Sequence, residues 1–159
     1  MSAQPIPHET LWTVYDDAVS LRTERRLQFV DLSDLVAERV RRSGVTAGLC
    51  SIQVHHTTAA LAVNEDEPLL LGDVQRLFER IAPSDGRYGH DDLSRRSTPE
   101  PEERANGAAH CRSFLLGPTQ TLHVRDGALQ LGRWQRLFLV ELDGPRPRKL
   151  SVLVLGLRG

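Results

Sequence analysis

The sequence predicts a single domain that combines α-helices with β-strands, on three observations. A chain of 159 residues has the usual length of one domain and is long enough to form a buried core. Apolar residues recur at helical spacing in two stretches of the first half, beginning near residues 32 and 68. The last third alternates apolar and polar residues between turn sequences such as Asp126-Gly127. We therefore expect one domain over residues 10–159 after a flexible tail at residues 1–9.

The first elements along the chain are short strands. Runs of apolar and β-branched residues predict strands at 10–14 and 19–21, joined through Asp16 and Asp17. A third strand is predicted at 26–30 and leads directly into a helix. That helix is indicated by apolar residues that share one face: Leu32, Leu35, Val36 and Val40.

The ends of this first helix have recognisable capping residues. Asp31 or Ser33 can accept a hydrogen bond from the free backbone N–H groups of the first turn. Gly44 follows the basic last turn and predicts the stop. The helix is therefore expected to cover part of the core.

The central stretch, residues 50–66, begins as a strand because apolar and polar side chains alternate along it. In this register His56 points to the apolar side and His55 to the opposite side. Polar and acidic residues at 64–66 end the stretch, just ahead of a helix that Pro68 begins. A histidine followed by carboxylates at a helix start is suited to a metal or acid–base site.

The remaining segments are a helix to Ile81, a long polar loop, a short helix and a series of strands. The loop is predicted from Tyr88 to Arg104 and the short helix from Ala105 to Leu116. Strands are predicted at 119–124, 128–131, 134–142 and 149–157. The last of these is apolar on both faces, which indicates stacked sheets or a subunit interface. Trp134 and Gln135 are expected to pack within a strand after a bulge at Gly132.

Composition narrows the class of protein. The 20 basic and 21 acidic side chains nearly cancel, so no overall field attracts nucleic acid or an acidic membrane surface. No apolar run approaches the roughly 18 residues of a membrane helix, and no secretory leader is visible at the start. We expect a cytoplasmic protein in which any phosphate binding is local. Cys50 and Cys111 have no metal-knot or disulfide spacing, and both are expected to be buried.

Several motifs together resemble the YjbQ family, also called secondary thiamine-phosphate synthase. They are His56-Thr-Thr-Ala59, Asn64-Glu65, Asp73, Tyr88-Gly-His-Asp91, Ala109-His110, Leu116-Gly117, residues 126–135 and Glu141-Leu-Asp-Gly-Pro-Arg146. The resemblance runs from about residue 10 to the end of the chain. It implies an α+β fold with a β-sandwich and two to three helices, assembled as a homotrimer around a three-fold axis. It also implies a secondary ability to join hydroxymethylpyrimidine diphosphate to thiazole phosphate.

Three histidines fall on these motifs: His56, His90 and His110. Neutral imidazole is a common zinc ligand, and three ligands plus a water leave an open catalytic position. The expected cofactor is a divalent metal ion, zinc before magnesium, although magnesium would suit a diphosphate substrate. The alternative is that each histidine is a hydrogen-bonded structural residue, because no local metal signature such as HExxH is present.

Carboxylates and arginines complete the expected site. Glu65, Asp73 and Asp91 could orient imidazoles or act as a general base. Helix capping for Glu65 and plain surface exposure for Asp91 are the alternatives. Asn64 could orient a substrate or a turn. These side chains belong to the site only if the fold brings them to the histidines.

The substrates that the resemblance implies carry phosphate, which basic side chains bind. Arg146 and Arg148 lie beside the Asp-Gly-Pro turn and could clamp a phosphate; a solvated hairpin turn is the alternative. The expected reaction is attack of the thiazole nitrogen on the pyrimidine methylene carbon with release of diphosphate. Two other functions stay open: a metal-dependent hydrolase of a phosphate or amide, and a non-catalytic trimeric ligand-binding or regulatory protein.

Overall fold

The computed structural model describes residues 12–97 and 104–158. The tail predicted at residues 1–9 lies outside these residues. The described part contains eight strands and three α-helices, with two short 3₁₀ turns at Gly89–Asp91 and Leu93–Arg95. The elements are β1 Trp12–Arg22, β2 Gln28–Asp31, α1 Ser33–Ser43, β3 Val45–Val54, β4 Ala59–Glu65, α2 Pro68–Ile81, α3 Gly107–Leu116, β5 Thr119–Arg125, β6 Ala128–Leu129, β7 Gln135–Glu141 and β8 Pro147–Arg158.

The strands form two antiparallel sheets. The five-stranded sheet has the order β1-β8-β3-β5-β6, and the three-stranded sheet has the order β2-β7-β4. Buried side chains from both sheets, among them Ile52, Leu61, Leu139 and Val152, form one core together with residues of α1. The α+β class predicted from the sequence is confirmed.

The three-stranded sheet is buried on both faces because helices cover its second side. In β7, Leu137 and Leu139 belong to the core shared with the five-stranded sheet. The alternate residues, Phe138 and Val140, pack instead with Phe78 of α2 and with residues of α3. Since side chains alternate between the faces of a strand, β7 is apolar throughout its buried part.

The strand predicted to be buried on both faces, 149–157, is only half buried. Every second residue of β8 is buried, but Leu153 and Leu155 on the other face are exposed in the single chain. The register places Val14, Leu155 and Leu49 side by side on this outer face of the five-stranded sheet. These exposed side chains form an apolar sheet face, which includes Trp12 as well.

The two strands predicted at 10–14 and 19–21 are one continuous strand, β1. Asp16 and Asp17 lie inside it, because β1 pairs with β8 along its whole length from Trp12 to Arg22. The acidic pair is tolerated there since Asp16 faces solvent and Asp17 forms an ion pair with Arg39 at 3.0 Å. A polar pair that indicated a turn in the sequence is therefore part of an edge strand.

Two local expectations about side chains and one about the start of a helix are also wrong. Trp134 is 61% exposed and precedes β7, in a turn where Gln135 N donates to Gly132 O at 2.9 Å. Cys111 is exposed, although Cys50 is buried as expected. The helix predicted from Ala105 begins two residues later, at Gly107. None of these patterns distinguishes a helix or turn surface from a packed one, because burial depends on neighbours distant in sequence.

The ends of helix α1 follow the prediction in part: Gly44 is the stop, but the N-cap is Leu32, which makes no side-chain cap hydrogen bond. The Asp31 carboxylate accepts a hydrogen bond from Ser33 N at 2.7 Å. Gly44 ends the helix with φ of 68°, a left-handed conformation that favours glycine.

Candidate functional site

A group of buried polar side chains lies where β7 ends and β8 begins. Arg148 and Glu141 form an ion pair inside the protein, with Arg148 Nε donating to Glu141 Oε2 at 2.6 Å. Thr23 Oγ1 donates to the same carboxylate oxygen at 2.8 Å, and Arg148 Nη2 also donates to Thr58 Oγ1 at 3.1 Å. We refer to Thr23, Thr58, Glu141 and Arg148 as the hairpin network.

The hairpin network organises the turn that follows β7. Glu141 Oε1 accepts hydrogen bonds from the backbone N–H groups of Leu142 at 2.9 Å and Asp143 at 2.8 Å. Burial by itself raises the pKa of Glu141, but hydrogen bonds from Arg148, the Asp143 backbone and Thr23 outweigh it and leave the pKa below its ordinary value. Glu141 is therefore held as a carboxylate that fixes the start of the turn.

Asp143, at the tip of this turn, forms ion pairs with two arginines. Its side chain is 1% exposed, and Arg146 Nη2 lies 2.8 Å from Oδ2 while Arg104 Nε lies 3.1 Å from Oδ1. Asn106 Nδ2 donates to Oδ2 at 3.2 Å. We call Arg104, Asn106, Asp143 and Arg146 the Asp143 cluster. The two guanidinium groups stay partly exposed, at 47% for Arg104 and 39% for Arg146, so the cluster presents net positive charge to solvent.

The start of α3 is fastened to the 3₁₀ turn that precedes it. Asp91 Oδ1 accepts hydrogen bonds from Asn106 N at 2.9 Å and Gly107 N at 2.8 Å. A Cβ at position 107 would lie 2.4 Å from Tyr88 Cβ, so only glycine permits this approach. Asp91 therefore positions the segment that carries His90 against α3.

His90 and His110 lie in contact as a result. Their ring centroids are 4.4 Å apart and the rings are tilted by 60°. His110 is one helical turn beyond Asn106, whose carbonyl oxygen accepts its backbone N–H at 3.1 Å. The pair of imidazoles therefore involves a residue one helical turn from Asn106 of the Asp143 cluster.

His56 lies close to the hairpin network, two residues before Thr58 in the chain. Its Nε2 accepts a hydrogen bond from the backbone N–H of Lys149 at 2.8 Å. Burial, then the nearby Arg148 charge, lowers the pKa of His56. A neutral ring that accepts at Nε2 must carry its proton on Nδ1. His56 thus fastens the end of β3 to β8.

The described residues, 12–97 and 104–158, contain no group of three or more histidine, cysteine, aspartate or glutamate side chains arranged to hold a metal ion. His90 and His110 are together, but the Nε2 of His56 is engaged by Lys149. Within the part of the chain that the structure describes, His56, His90 and His110 therefore do not form one set of metal ligands. The metal site remains a prediction that would require a further ligand.

Asn64, Glu65 and Asp73, which were expected at the site, lie away from the histidines. Asn64 and Glu65 are at the end of β4 that pairs with Gln135, whereas Ala59 at the other end pairs with Glu141. Six residues of strand separate the two ends by about 20 Å. Asn64 Oδ1 accepts a hydrogen bond from its neighbour's backbone, Glu65 N, at 2.9 Å.

Asp73 is exposed on α2 and pairs with Arg76 on the same helix. The cap of that helix is Glu67, not Glu65, because the Glu67 carboxylate accepts from Leu69 N at 2.9 Å and Leu70 N at 2.7 Å. Neither Glu65 nor Asp73 joins the histidines within one chain.

The phosphate-clamp prediction has different outcomes for its two arginines. Arg148 is buried in the hairpin network, where Glu141 and Thr58 occupy its guanidinium group, so the geometry does not favour direct contact with substrate. Arg146 is at the surface of the Asp143 cluster. Sequence reasoning missed Arg104 and Asn106 as site residues. The only indication was their place next to the His110 helix, because contact with Asp143 is made across 37 to 39 positions of sequence.

The fold and site define a class of small α+β protein with two antiparallel sheets and a charged cluster at one end of the smaller sheet. The chain belongs to the UPF0047 family, YjbQ-like proteins, whose family model matches residues 17–157. This confirms the family resemblance noted in the sequence.

Among curated relatives, a UPF0047 protein of Methanothermobacter thermautotrophicus is 36% identical over 143 residues, which cover 90% of this chain and 93% of that protein. The Bacillus subtilis UPF0047 protein YugU is 31% identical over 139 residues, covering 87% of this chain and 97% of the relative. The similarity therefore extends over nearly the whole length of both relatives.

Solved structures agree with the fold. A YbjQ-like protein of unknown function from Sulfolobus solfataricus superposes with a TM-score of 0.82 at 35% identity, covering 92% of this chain and 99% of that one. A hypothetical protein from Aeropyrum pernix gives a TM-score of 0.78 at 36% identity, with 89% and 98% covered. Within the described residues, no helix is long and apolar enough to span a membrane.

Proposed function

We propose that the Asp143 cluster binds the phosphate of a small phosphorylated substrate, and that the protein is a transferase of the thiamine-phosphate synthase type. The observation that carries the proposal is the convergence of Arg104 and Arg146 on one buried carboxylate. A guanidinium group has five N–H donors in a planar fork, and a carboxylate partner fixes its direction while leaving donors for a second anion. The arrangement is therefore preorganised for phosphate.

The charge balance of the cluster supports an anionic ligand. Two arginine charges are opposed by the single charge of Asp143, so an incoming phosphate compensates the excess. The buried Glu141–Arg148 pair is internally neutral and holds the turn in place without competing for the ligand. Binding would then cost little reorganisation of the protein.

In the proposed reaction the thiazole nitrogen attacks the methylene carbon of hydroxymethylpyrimidine diphosphate. A C–N bond forms, the C–O bond to diphosphate breaks, and the diphosphate leaves with the bonding electron pair. Arg104 and Arg146 would stabilise the charge that develops on the leaving oxygen. His90 and His110, beside Asn106, would orient the heterocycle through ring contact.

The test measures product formation and diphosphate release with the purified protein and with the double variant R104M/R146M. Loss of one charged hydrogen bond costs about tenfold or more in transition-state binding, so the double variant should lose activity by at least that factor. R42M, which changes an exposed arginine on α1, is the matched control and should retain activity. Substrate cleavage without the joined product would identify a hydrolase instead, and a protein with neither reaction would reject the enzymatic proposal.

Whether His90 and His110 also help to bind a divalent metal is tested separately. Elemental analysis of protein handled without added metal, alongside the variant H90A/H110A, decides it. Stoichiometric metal that disappears in the folded variant would support a shared site completed by another ligand. Equal metal content in both proteins would remove the two histidines from consideration as ligands.

We further propose that the apolar sheet face formed by Trp12, Val14, Leu49, Leu153 and Leu155 is the contact surface of a homotrimer. Exposed apolar patches on one sheet face are typical of subunit interfaces. Light scattering should give three times the chain mass, and L155E should reduce it because a charge would be buried in the interface. A monomeric parent protein would contradict this assembly.

A further inference from the structure

A groove open to solvent separates helix α2 from the bend that precedes β2. Its volume is about 550 Å³, within the range of roughly 300–1,000 Å³ that is usual for small-molecule sites. One residue of the bend and five of the helix line it: Leu27, Gly72, Gln75, Arg76, Glu79 and Arg80. The helical members are three or four positions apart and therefore share one face. None of the six belongs to the Asp143 cluster or to the hairpin network.

Part of the groove wall is apolar. Leu27 is half-buried and packs against the core that contains Phe78 and Phe138. Gly72 contributes no side chain, and a Cβ at this position would meet only Arg76 Nη1, at 3.5 Å. The aliphatic stems of the two groove arginines extend the apolar surface toward solvent. An apolar group of a ligand can therefore lie between the bend and the helix.

The charged side chains around the groove leave one arginine over. Arg76 forms an ion pair with Asp73 on the same helix. Glu79 Oε1 lies 2.8 Å from Nη2 of the buried Arg112. Within residues 12–97 and 104–158, no carboxylate lies within ion-pair distance of Arg80. The groove thus has a surplus of one positive charge, at Arg80.

Glu79 is not free to neutralise that charge. Its carboxylate accepts hydrogen bonds from the Ser84 hydroxyl at 2.6 Å and from Ser84 N at 2.8 Å. These bonds, with the one from Arg112, lower the pKa of Glu79 to about 2. Glu79 is therefore ionised at neutral pH, and turning it toward Arg80 would break its bonds at the end of α2.

We propose that this groove is a second ligand site, for a small organic carboxylate with an apolar body. The carboxylate pairs with the Arg80 guanidinium, whose planar fork can donate two parallel hydrogen bonds to it. The apolar body covers Leu27 and Gly72. A monoanion matches the single surplus charge, whereas a phosphate dianion would bring a second negative charge close to Glu79. The site is independent of the phosphate binding proposed for the Asp143 cluster.

The experiment is an amide chemical-shift titration of the whole, isotopically labelled protein with phenylacetate, phenylacetamide and acetate. Phenylacetate should give saturable shifts at Leu27 and Gly72, with a dissociation constant in the millimolar range expected of so small a ligand. Phenylacetamide has the same shape without the charge and should bind about tenfold more weakly. Acetate should also bind more weakly, because it buries no apolar body.

Three outcomes with the parent protein would overturn the proposal. One is equal affinity for phenylacetate and either of the other probes. Another is the absence of saturable shifts, as expected if a second copy of the chain covers the groove. The third is a set of shifts confined to Arg104, Asn106 and Arg146, which would place the carboxylate at the Asp143 cluster.

Variants separate the charge from the shape of the groove. R80M should weaken phenylacetate about tenfold and leave phenylacetamide unchanged, while the control R42M, on α1, should change neither. An equal effect of R80M on both probes would refute the ion pair. G72L fills the groove and should abolish binding of both. It should fold, because leucine favours a helix more than glycine does and the Cβ meets no close contact. Binding to folded G72L with parental affinity would show that the ligand lies elsewhere.

Discussion

Replacing Arg148 by methionine should destabilise the protein more than any surface charge change. The substitution keeps a long apolar side chain but leaves the Glu141 carboxylate buried without its ion-pair partner. Breaking a buried pair in this way costs about 3–5 kcal/mol. Thr23 and the backbone N–H groups of Leu142 and Asp143 continue to donate to the carboxylate, so we expect the lower end of that range.

The assay is urea unfolding at pH 7, followed by far-ultraviolet circular dichroism. A loss of about 3 kcal/mol with a slope of about 2 kcal/mol per molar urea lowers the midpoint by about 1.5 M. R42M is the control because its partner Glu38 is exposed, and exposed pairs contribute less than about 1 kcal/mol. The double variant E141Q/R148M removes both charges and should recover most of the loss.

The pH dependence provides an independent check. In the parent protein the pKa of Glu141 is lowered in the folded state, so its stabilisation is complete above the ordinary value of 4.5 and is lost as the pH falls through the folded pKa. Without Arg148, burial dominates and raises the pKa of Glu141. Acid then protonates the unpaired Glu141 carboxyl, which removes the cost of burying its charge. The difference in free energy of unfolding between parent and R148M should therefore narrow from pH 7 to pH 4. An R148M urea midpoint equal to that of R42M would refute the reasoning. So would a difference in stability between parent and R148M that grows in acid.

Three further outcomes are expected. G144A should lower the melting temperature by several degrees, because the new Cβ would lie 2.2 Å from the backbone oxygen of Arg25; an unchanged melting temperature would show that the turn can shift. D91A should cost about 1 kcal/mol in urea unfolding by removing the acceptor at the start of α3, and a variant as stable as the parent would contradict that role. A thiol reagent at pH 8 should modify Cys111 rapidly and Cys50 only after unfolding, since burial raises the pKa of Cys50 to about 12; rapid reaction of both thiols in the native protein would count against it.

The helices were the most predictable part of the fold. The hydrogen bond from Ser33 N to Asp31, the stop at Gly44 and the proline at the start of α2 depend on neighbours within one turn, and all three are observed. The family resemblance rested on motifs in order along the chain and is confirmed by the family match over residues 17–157.

The site was less predictable, because charge pairs form across the sheets. Arg148 looked like a residue of an exposed turn, but its pairing register puts it on the inner face of β8, where Glu141 and Thr58 enclose it. Arg146, two positions earlier and outside β8, remains 39% exposed. Two positions of sequence thus separate a structural arginine from a candidate ligand-binding one.

The sequence by itself determined the class of the fold, the places where the first two helices begin and end, and the family to which the chain belongs. Each depends on local spacing or on the order of motifs. Only the tertiary structure decided which polar side chains meet. It brought Arg104 and Asn106 to Asp143 and His90 to His110, and it left Glu65 at the far end of β4. The reason is that strand register and sheet order set these contacts, and both arise from packing between segments that are remote in the chain.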